Sequence, residues 1–99
     1  MLAYRFHEQA AAEYQHDIRY YRQISPSLGA TVVSEVEAAI KRIRHSPQVH
    51  SPIGDNLRRG LVRRFRHAVI YEIQPDGIFI WAVMHTSREP GYWKEQMKE

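Results

Sequence analysis

Arginine is concentrated between residues 58 and 66 of this 99-residue chain. A guanidinium group donates two parallel hydrogen bonds to a phosphate or a carboxylate, so such a cluster is suited to a polyanionic partner. The alternative is structural, because the same side chains can pair with acidic residues of the protein itself. The sequence therefore predicts a surface for a nucleic acid or an acidic partner and leaves the role of each arginine open. The candidate binding residues are Arg58, Arg59, Arg63, Arg64 and Arg66.

A second group of chemically capable side chains follows the last predicted strand: His85, Arg88 and Tyr92. In a ribonuclease, a neutral imidazole or a phenol can move the 2′-hydroxyl proton while an arginine stabilises the phosphorane. Structurally, His85 can instead be a core residue at a strand end, Tyr92 can pack the last helix, and Arg88 can pair with a nearby glutamate. These three are candidate catalytic residues only if the protein is a nuclease.

Other site chemistries find no support in the residue pattern. The six histidines show no metal-ligand spacing on one predicted face, and the five glycines are isolated, so no phosphate-binding loop is indicated. We therefore expect no metal and no cofactor.

Three short β-type runs position the arginines: Leu57–Phe65, Ala68–Ile73 and Ile78–His85. Gln74-Pro75-Asp76-Gly77 joins the last two, and its glycine accepts the positive φ that closes a hairpin. The runs should form an antiparallel meander. In the last run, alternation places Ile78, Ile80, Ala82 and Met84 on one face. Its other face is also apolar, so we expect this strand to be central and covered on both sides.

Two helices precede the meander. Apolar residues recur at helical spacing in Glu8–Ile24 and again from Pro26 to about Arg44, with Ser25 as the N-cap of the second helix. A first strand is predicted at Leu2–Phe6, a loop at His45–Asn56 and a final helix at Gly91–Lys98. The order is β-α-α-β-β-β-α, which predicts one α+β domain over residues 1–99, a helical hairpin packed on an antiparallel sheet.

Composition restricts the class of protein. The chain has no cysteine and no apolar run approaching the ~20 residues of a membrane span, so we expect a soluble cytoplasmic protein with no membrane partner. Residues 41–66 carry eight basic and one acidic side chain, whereas each flanking segment has a net charge of −2. This local positive field favours an acidic partner. A solvated basic face without a partner is the alternative.

Several segments together resemble the RelE/ParE toxin superfamily of bacterial type II toxin–antitoxin, or plasmid stabilisation, modules. The resemblance covers nearly the whole chain, in the element order given above. It rests on Tyr20-Tyr21, Leu28-Gly29, Val32, Glu35-Val36-Glu37, Ile40, Ile43, Arg63-Arg64-Phe65, Val69-Ile70-Tyr71, Ala82-Val83-Met84-His85, Arg88 and Pro90-Gly91-Tyr92-Trp93.

The resemblance implies a RelE-like toxin fold and a growth-inhibiting toxin that a cognate antitoxin neutralises. ParE-like members bind DNA gyrase and trap it on DNA, and RelE-like members cut mRNA in the ribosomal A site. For an mRNA-cutting member, the resemblance implies that Arg63, Arg64 or Arg66 binds phosphate. Arg88 would stabilise the transition state, and Tyr92 or His85 would act as the general base. The sheet has no lysine, which departs from the RelE-like pattern, and the helices look more ParE-like. We therefore expect a gyrase poison, with an mRNA endonuclease as the alternative and a member that only binds its partner as a third.

Overall fold

The computed structural model describes residues 1–85, which contain two α-helices and five strands. The predicted final helix, together with Arg88 and Tyr92, lies outside the described residues. The elements, in chain order, are β1 (Tyr4–Phe6), α1 (Glu8–Ile24), α2 (Pro26–His45), β2 (Ser51–Gly54), β3 (Leu57–Leu61), β4 (His67–Gln74) and β5 (Gly77–His85). One turn of 3-10 helix, Pro47–Val49, lies between α2 and β2.

The helical hairpin forms as the sequence predicts. Ser25 separates the two helices: its amide donates to the Tyr21 carbonyl at 3.0 Å, and its hydroxyl accepts from the Leu28 amide at 3.3 Å. One serine therefore ends α1 and caps α2, and Pro26 begins α2 with a fixed φ. The hairpin packs on one face of the sheet through Tyr14, Ile18, Val32, Val36, Ala39, Ile40 and Ile43.

The sheet is mixed, with the strand order β1-β5-β4-β3-β2. The predicted meander of β3, β4 and β5 is antiparallel, but β1 pairs with β5 in parallel. The expectation of a wholly antiparallel sheet was therefore wrong at this edge. The opposite edge strand, β2, occupies a segment that the sequence predicts as loop. Its Pro52 hides the strand signal, and proline is tolerated because the strand lies at the sheet edge.

The predicted faces of β5 were wrong beyond its middle because the strand contains a β-bulge. Ile70 is opposite Ala82 and Tyr71 is opposite Ile80, so Trp81 is an extra residue. After the bulge the alternation is reversed. Ile78, Ile80 and Val83 therefore pack under the helices, whereas Ala82 and Met84 join a second buried cluster on the other face, with Leu57, Ala68 and Ile70. β5 has buried residues on both faces, as expected, but Phe79 and Trp81 are only partly buried.

The strand that carries the arginines is shorter than predicted. β3 ends at Leu61 and not at Phe65, and residues 62–66 form a link to β4. Within this link Arg64 has a φ of 71°, a left-handed conformation that is incompatible with a continuing strand. Arg63, Arg64 and Arg66 lie in this link, outside the strands, and all three side chains are exposed.

Candidate functional site

A basic groove opens between the end of α2, the 3-10 turn and the link after β3. It consists of two depressions of about 640 Å³ and about 280 Å³ that share Arg42, Val49, His50 and Arg63. Among the described residues that line it there is no carboxylate. We define the basic groove by its lysine and arginine side chains and two of its exposed apolar ones: Lys41, Arg42, Arg59, Arg63, Val49 and Leu61.

Two of the predicted binding residues line this groove. Arg59 extends from β3 and Arg63 from the link, and both are exposed. Neither side chain has an ion pair or a hydrogen bond with another described residue. Their guanidinium groups are therefore available to an external anion without first breaking an internal contact.

Arg58 has a structural role. Its Nη1 donates to the carbonyls of Gln48 at 3.1 Å and His50 at 2.7 Å, which fixes the 3-10 turn and the residue that follows it against β3. Charge-assisted hydrogen bonds of this kind are among the stronger ones in proteins. The structural alternative for the arginine cluster therefore applies to this residue, although its partners are backbone carbonyls and not carboxylates.

The remaining two predicted arginines lie outside the groove lining. Arg64 approaches Glu35 of α2, with Nε and Oε2 3.9 Å apart, and its side chain is largely exposed. An exposed pair at this separation contributes little to stability, so it leaves most of the positive charge of Arg64 in solvent. Arg66 is exposed and has no ion pair with a described residue. Both can extend the positive field of the groove without forming its walls.

Sequence reasoning missed the contribution of α2 and of the apolar side chains. Lys41 and Arg42 lie near the end of α2, where cations complement the helix dipole, and were not among the candidate binding residues. Arg42 also reaches β3, where its Nη2 donates to the Leu61 carbonyl at 3.3 Å. The excess of basic residues between positions 41 and 66 was the sequence signal that these two cations belong to the positive surface. Nothing in the local sequence indicated that Val49 and Leu61 would be 77% and 60% exposed.

His50 and Tyr71 stabilise the floor of the groove. The Tyr71 ring is fully buried, its hydroxyl donates to the Pro47 carbonyl at 2.5 Å, and burial raises its pKa to about 12. The His50 ring packs edge-on against it, with the centroids 6.1 Å apart. Burial lowers the pKa of His50, and the nearby positive charges of Arg42 and Arg58 lower it further. The imidazole is therefore neutral at pH 7.

The candidate catalytic group is only partly within the described residues. His85, at the end of β5, is half-buried, and its ring lies 5.2 Å from that of His67, centroid to centroid. His67 is buried, and its Nε2 is 3.9 Å from a carboxylate oxygen of Asp17. The structure thus places a second histidine beside His85 that the sequence did not single out. Arg88 and Tyr92 remain predictions.

No set of three or more histidine and acidic side chains among residues 1–85 is arranged to hold a metal ion. Within the same residues, neither helix combines the length and apolar character needed to cross a membrane.

Comparisons with known proteins support the resemblance seen in the sequence. The chain resembles a chain in the solved structure of the chromosomal ParDE TA system from P. aeruginosa, with a TM-score of 0.72 and 15% sequence identity. The match covers 86% of this chain and 96% of that one, so it establishes a shared fold. A search of curated proteins gives no match. The family model for the ParE toxin of the type II toxin–antitoxin system parDE matches residues 4–90. The chain therefore belongs to the ParE toxin family.

Proposed function

We propose that this protein arrests bacterial growth by poisoning DNA gyrase and that a cognate antitoxin neutralises it. The observation that carries the proposal is the ParE family match over residues 4–90. The described surface is consistent with action through binding, because its distinctive exposed groups are cationic and apolar. A positive surface of this kind suits a complex of protein and DNA, in which phosphates supply a dense negative charge.

Within residues 1–85, the pair formed by Asp17 and His67 is not an accessible acid–base pair. Asp17 and His67 approach each other, but the His67 side chain is buried and cannot reach the hydroxyl of a macromolecular substrate. The surface of residues 1–85 therefore supports action by binding, and the candidate catalytic residues Arg88 and Tyr92 lie outside this range.

The test is the order of events after induction of the protein in a bacterial host. Plasmid supercoiling and the incorporation of labelled amino acids should be followed over the first minutes. We expect plasmid breaks bound to gyrase and loss of supercoiling before protein synthesis falls, because gyrase is the direct target. Prompt translation arrest with cleaved mRNA and normal supercoiling would contradict the proposal. Undisturbed growth, with the protein folded and the host's gyrase susceptible, would contradict any active toxin.

A ribosome-dependent mRNA endonuclease is the second candidate function. The observation in its favour is the placement of His85 at the end of β5 beside His67, immediately before the segment that contains Arg88 and Tyr92. On this proposal Arg88→Ala weakens toxicity strongly, whereas His16→Ala on the exposed side of α1 does not. Equal toxicity of the two folded variants would remove Arg88 from the site.

A further inference from the structure

The smaller depression of the basic groove brings together three arginines from three different elements. Arg42 extends from α2, Arg59 from β3 and Arg63 from the link, and all three line a space of about 280 Å³. No carboxylate is among the described residues that line it. Because like charges repel at close range, an anion that enters the space relieves an unfavourable interaction as well as forming new ones. The depression is therefore suited to an anionic group.

The guanidinium groups of this depression retain most of their hydrogen-bonding capacity. A guanidinium has five N–H donors, and Arg42 uses one of them for a backbone carbonyl. The side chains of Arg59 and Arg63 donate to no described residue. By contrast, Lys41 of the larger depression also lines a third one, which it shares with Glu37. The smaller depression thus presents forked donors, which match two oxygens of one phosphate better than an ammonium does.

Contacts within the protein hold the walls of the depression in place. Gly60, between Arg59 and Leu61, allows β3 to lie against α2, since a Cβ there would meet Cδ1 of Ile43 at 2.8 Å. This close approach brings Arg59 beside the end of α2, which carries Arg42. The 3-10 turn on the far side is held by the hydrogen bonds described above. Preorganised walls reduce the entropy that is lost when a ligand binds.

The apolar side chains of the groove strengthen the field of the arginines. Val49 and Leu61 line the same depression and are more than half exposed. A cleft that combines charges of one sign with walls of low dielectric constant concentrates the electric field and attracts ions of the opposite sign. The exposed aliphatic groups therefore suit a polyanion even though they form no hydrogen bond with it.

The lining favours the backbone of a duplex over a single strand. Proteins that bind single-stranded nucleic acids stack the bases on aromatic rings, and no phenylalanine, tyrosine or tryptophan of residues 1–85 lines either depression. In duplex DNA the bases stack on one another, and the phosphates form a dense row of negative charge. The depression continues into the larger one of about 640 Å³, so the groove suits a row of phosphates better than one isolated anion.

We propose that the smaller depression is a phosphate-binding site through which the toxin contacts duplex DNA directly, with Arg42, Arg59 and Arg63 bound to backbone oxygens. The inference deepens the proposed function and rests on it, because DNA is the part of a gyrase complex that supplies phosphates. On this proposal the toxin touches the nucleic acid as well as the enzyme. Phosphate contacts carry no sequence information, so binding is independent of the base sequence.

Fluorescence anisotropy in the absence of gyrase tests the contact with four labelled probes of equal charge. Two are short DNA duplexes of unrelated sequence, one is a single-stranded RNA and one is a polyglutamate peptide. We expect the duplexes to bind equally, within about twofold, and at least about fivefold more tightly than the RNA or the peptide. Equal or tighter binding of the peptide would show a general attraction to acidic polymers, and tighter binding of the RNA would show a single-strand site. Either result overturns the proposal.

The salt dependence of duplex binding counts the phosphate contacts. Each neutralised phosphate releases counter-ions, so the logarithm of the binding constant falls by about 0.9 per contact for each unit in the logarithm of the salt concentration. Three arginines predict a slope of about −3. Arg63→Glu should reduce its magnitude by about 1 and weaken binding about tenfold. Arg19→Glu, at an exposed position on α1 outside the groove, is the matched control for net charge and should leave the slope unchanged.

Thermal melts establish that both variants fold. Equal changes of slope in Arg63→Glu and Arg19→Glu would show an effect of overall charge and overturn the site. Inorganic phosphate added at constant ionic strength is the last probe. It should not displace the duplex, because a single anion cannot replace a row of contacts. Displacement by millimolar phosphate would show a site for a small phosphate compound and overturn the assignment to DNA.

Gyrase assays with the same proteins separate this proposal from the proposed function. If the wild type poisons gyrase but does not bind the duplexes, the phosphate site is wrong and the function stands. If the wild type binds the duplexes at the groove but leaves gyrase unaffected, the gyrase proposal is wrong and the phosphate site stands.

Discussion

Individual arginines in this protein differ sharply in role, although their sequence context is nearly the same. Arg58 and Arg59 are adjacent, yet the first donates two hydrogen bonds to backbone carbonyls and the second faces the groove. Successive residues of a strand point to opposite faces, which explains the difference. At this scale, therefore, a change at one position affects folding and a change at the next affects binding.

Replacement of Arg58 by alanine tests this division. Arg58→Ala should lower the free energy of unfolding by about 1–2 kcal/mol, because the carbonyls of Gln48 and His50 lose a charged donor. Arg63→Ala, which breaks no contact with a described residue, should change it by less than about 0.5 kcal/mol. Urea denaturation of the two variants measures both values. An unchanged free energy of unfolding for Arg58→Ala would show that water replaces these hydrogen bonds without loss of stability.

His50 makes the stability of the groove depend on pH. Its pKa is lowered in the folded protein by burial and then by Arg42 and Arg58, so the unfolded chain binds the proton more readily. The stabilisation is complete above the ordinary histidine pKa of about 6.5 and is lost as the pH falls below it. Between pH 7 and pH 5, the melting temperature of the wild type should fall more steeply than that of His50→Gln. Parallel curves would show that His50 does not contribute.

Elements of this fold differ in how far their sequences predict them. Both helices were predicted almost to the residue because apolar periodicity and the Ser25-Pro26 boundary are local signals. The turn at Gly77 was predicted for the same reason, and the residue has a φ of 139°. A Cβ at Gly77 would also meet the Ala3 carbonyl of the segment that leads into β1, whose oxygen accepts from the Ile78 amide at 2.9 Å.

Gly77→Ala therefore combines an unfavourable φ with a clash against the segment before β1. We expect it to destabilise the protein by about 2–4 kcal/mol. Gly54→Ala is the matched control, because Gly54 also has a positive φ, of 92°, but a Cβ there meets nothing within 4 Å. It should cost about 1 kcal/mol. Thermal or urea unfolding compares the two, and equal losses would show that the contact with Ala3 is unimportant.

Features that depend on pairing between distant segments were not predicted from the sequence. The bulge at Trp81 arises from the register between β4 and β5, which no local pattern records, and it reverses the faces of Ala82 and Met84. β2 exists only because β3 offers it an edge. The excess of basic residues between positions 41 and 66 predicted that the candidate site would be positively charged. Its shape depends on how the end of α2 packs against β3, and only the structure shows that packing.

Among residues 1–85, the largest cluster of positive charge lies where the end of α2, β3 and the link meet. The helical hairpin covers one sheet face, and a second apolar cluster is buried on the other. The basic groove is thus carried by a rigid frame, with cations from segments that are distant in sequence. This arrangement suits binding to a large acidic complex more than chemistry at a single bond.

Trapping of gyrase on DNA by the purified protein tests the central claim most directly. Gyrase, supercoiled plasmid and the toxin should be combined, and the reaction stopped with detergent and protease. We predict linear plasmid that depends on both proteins and on the dose of toxin, with less product for Arg63→Glu than for Arg19→Glu. If the folded toxin yields no gyrase-dependent breaks and instead cleaves mRNA on ribosomes, the account is contradicted.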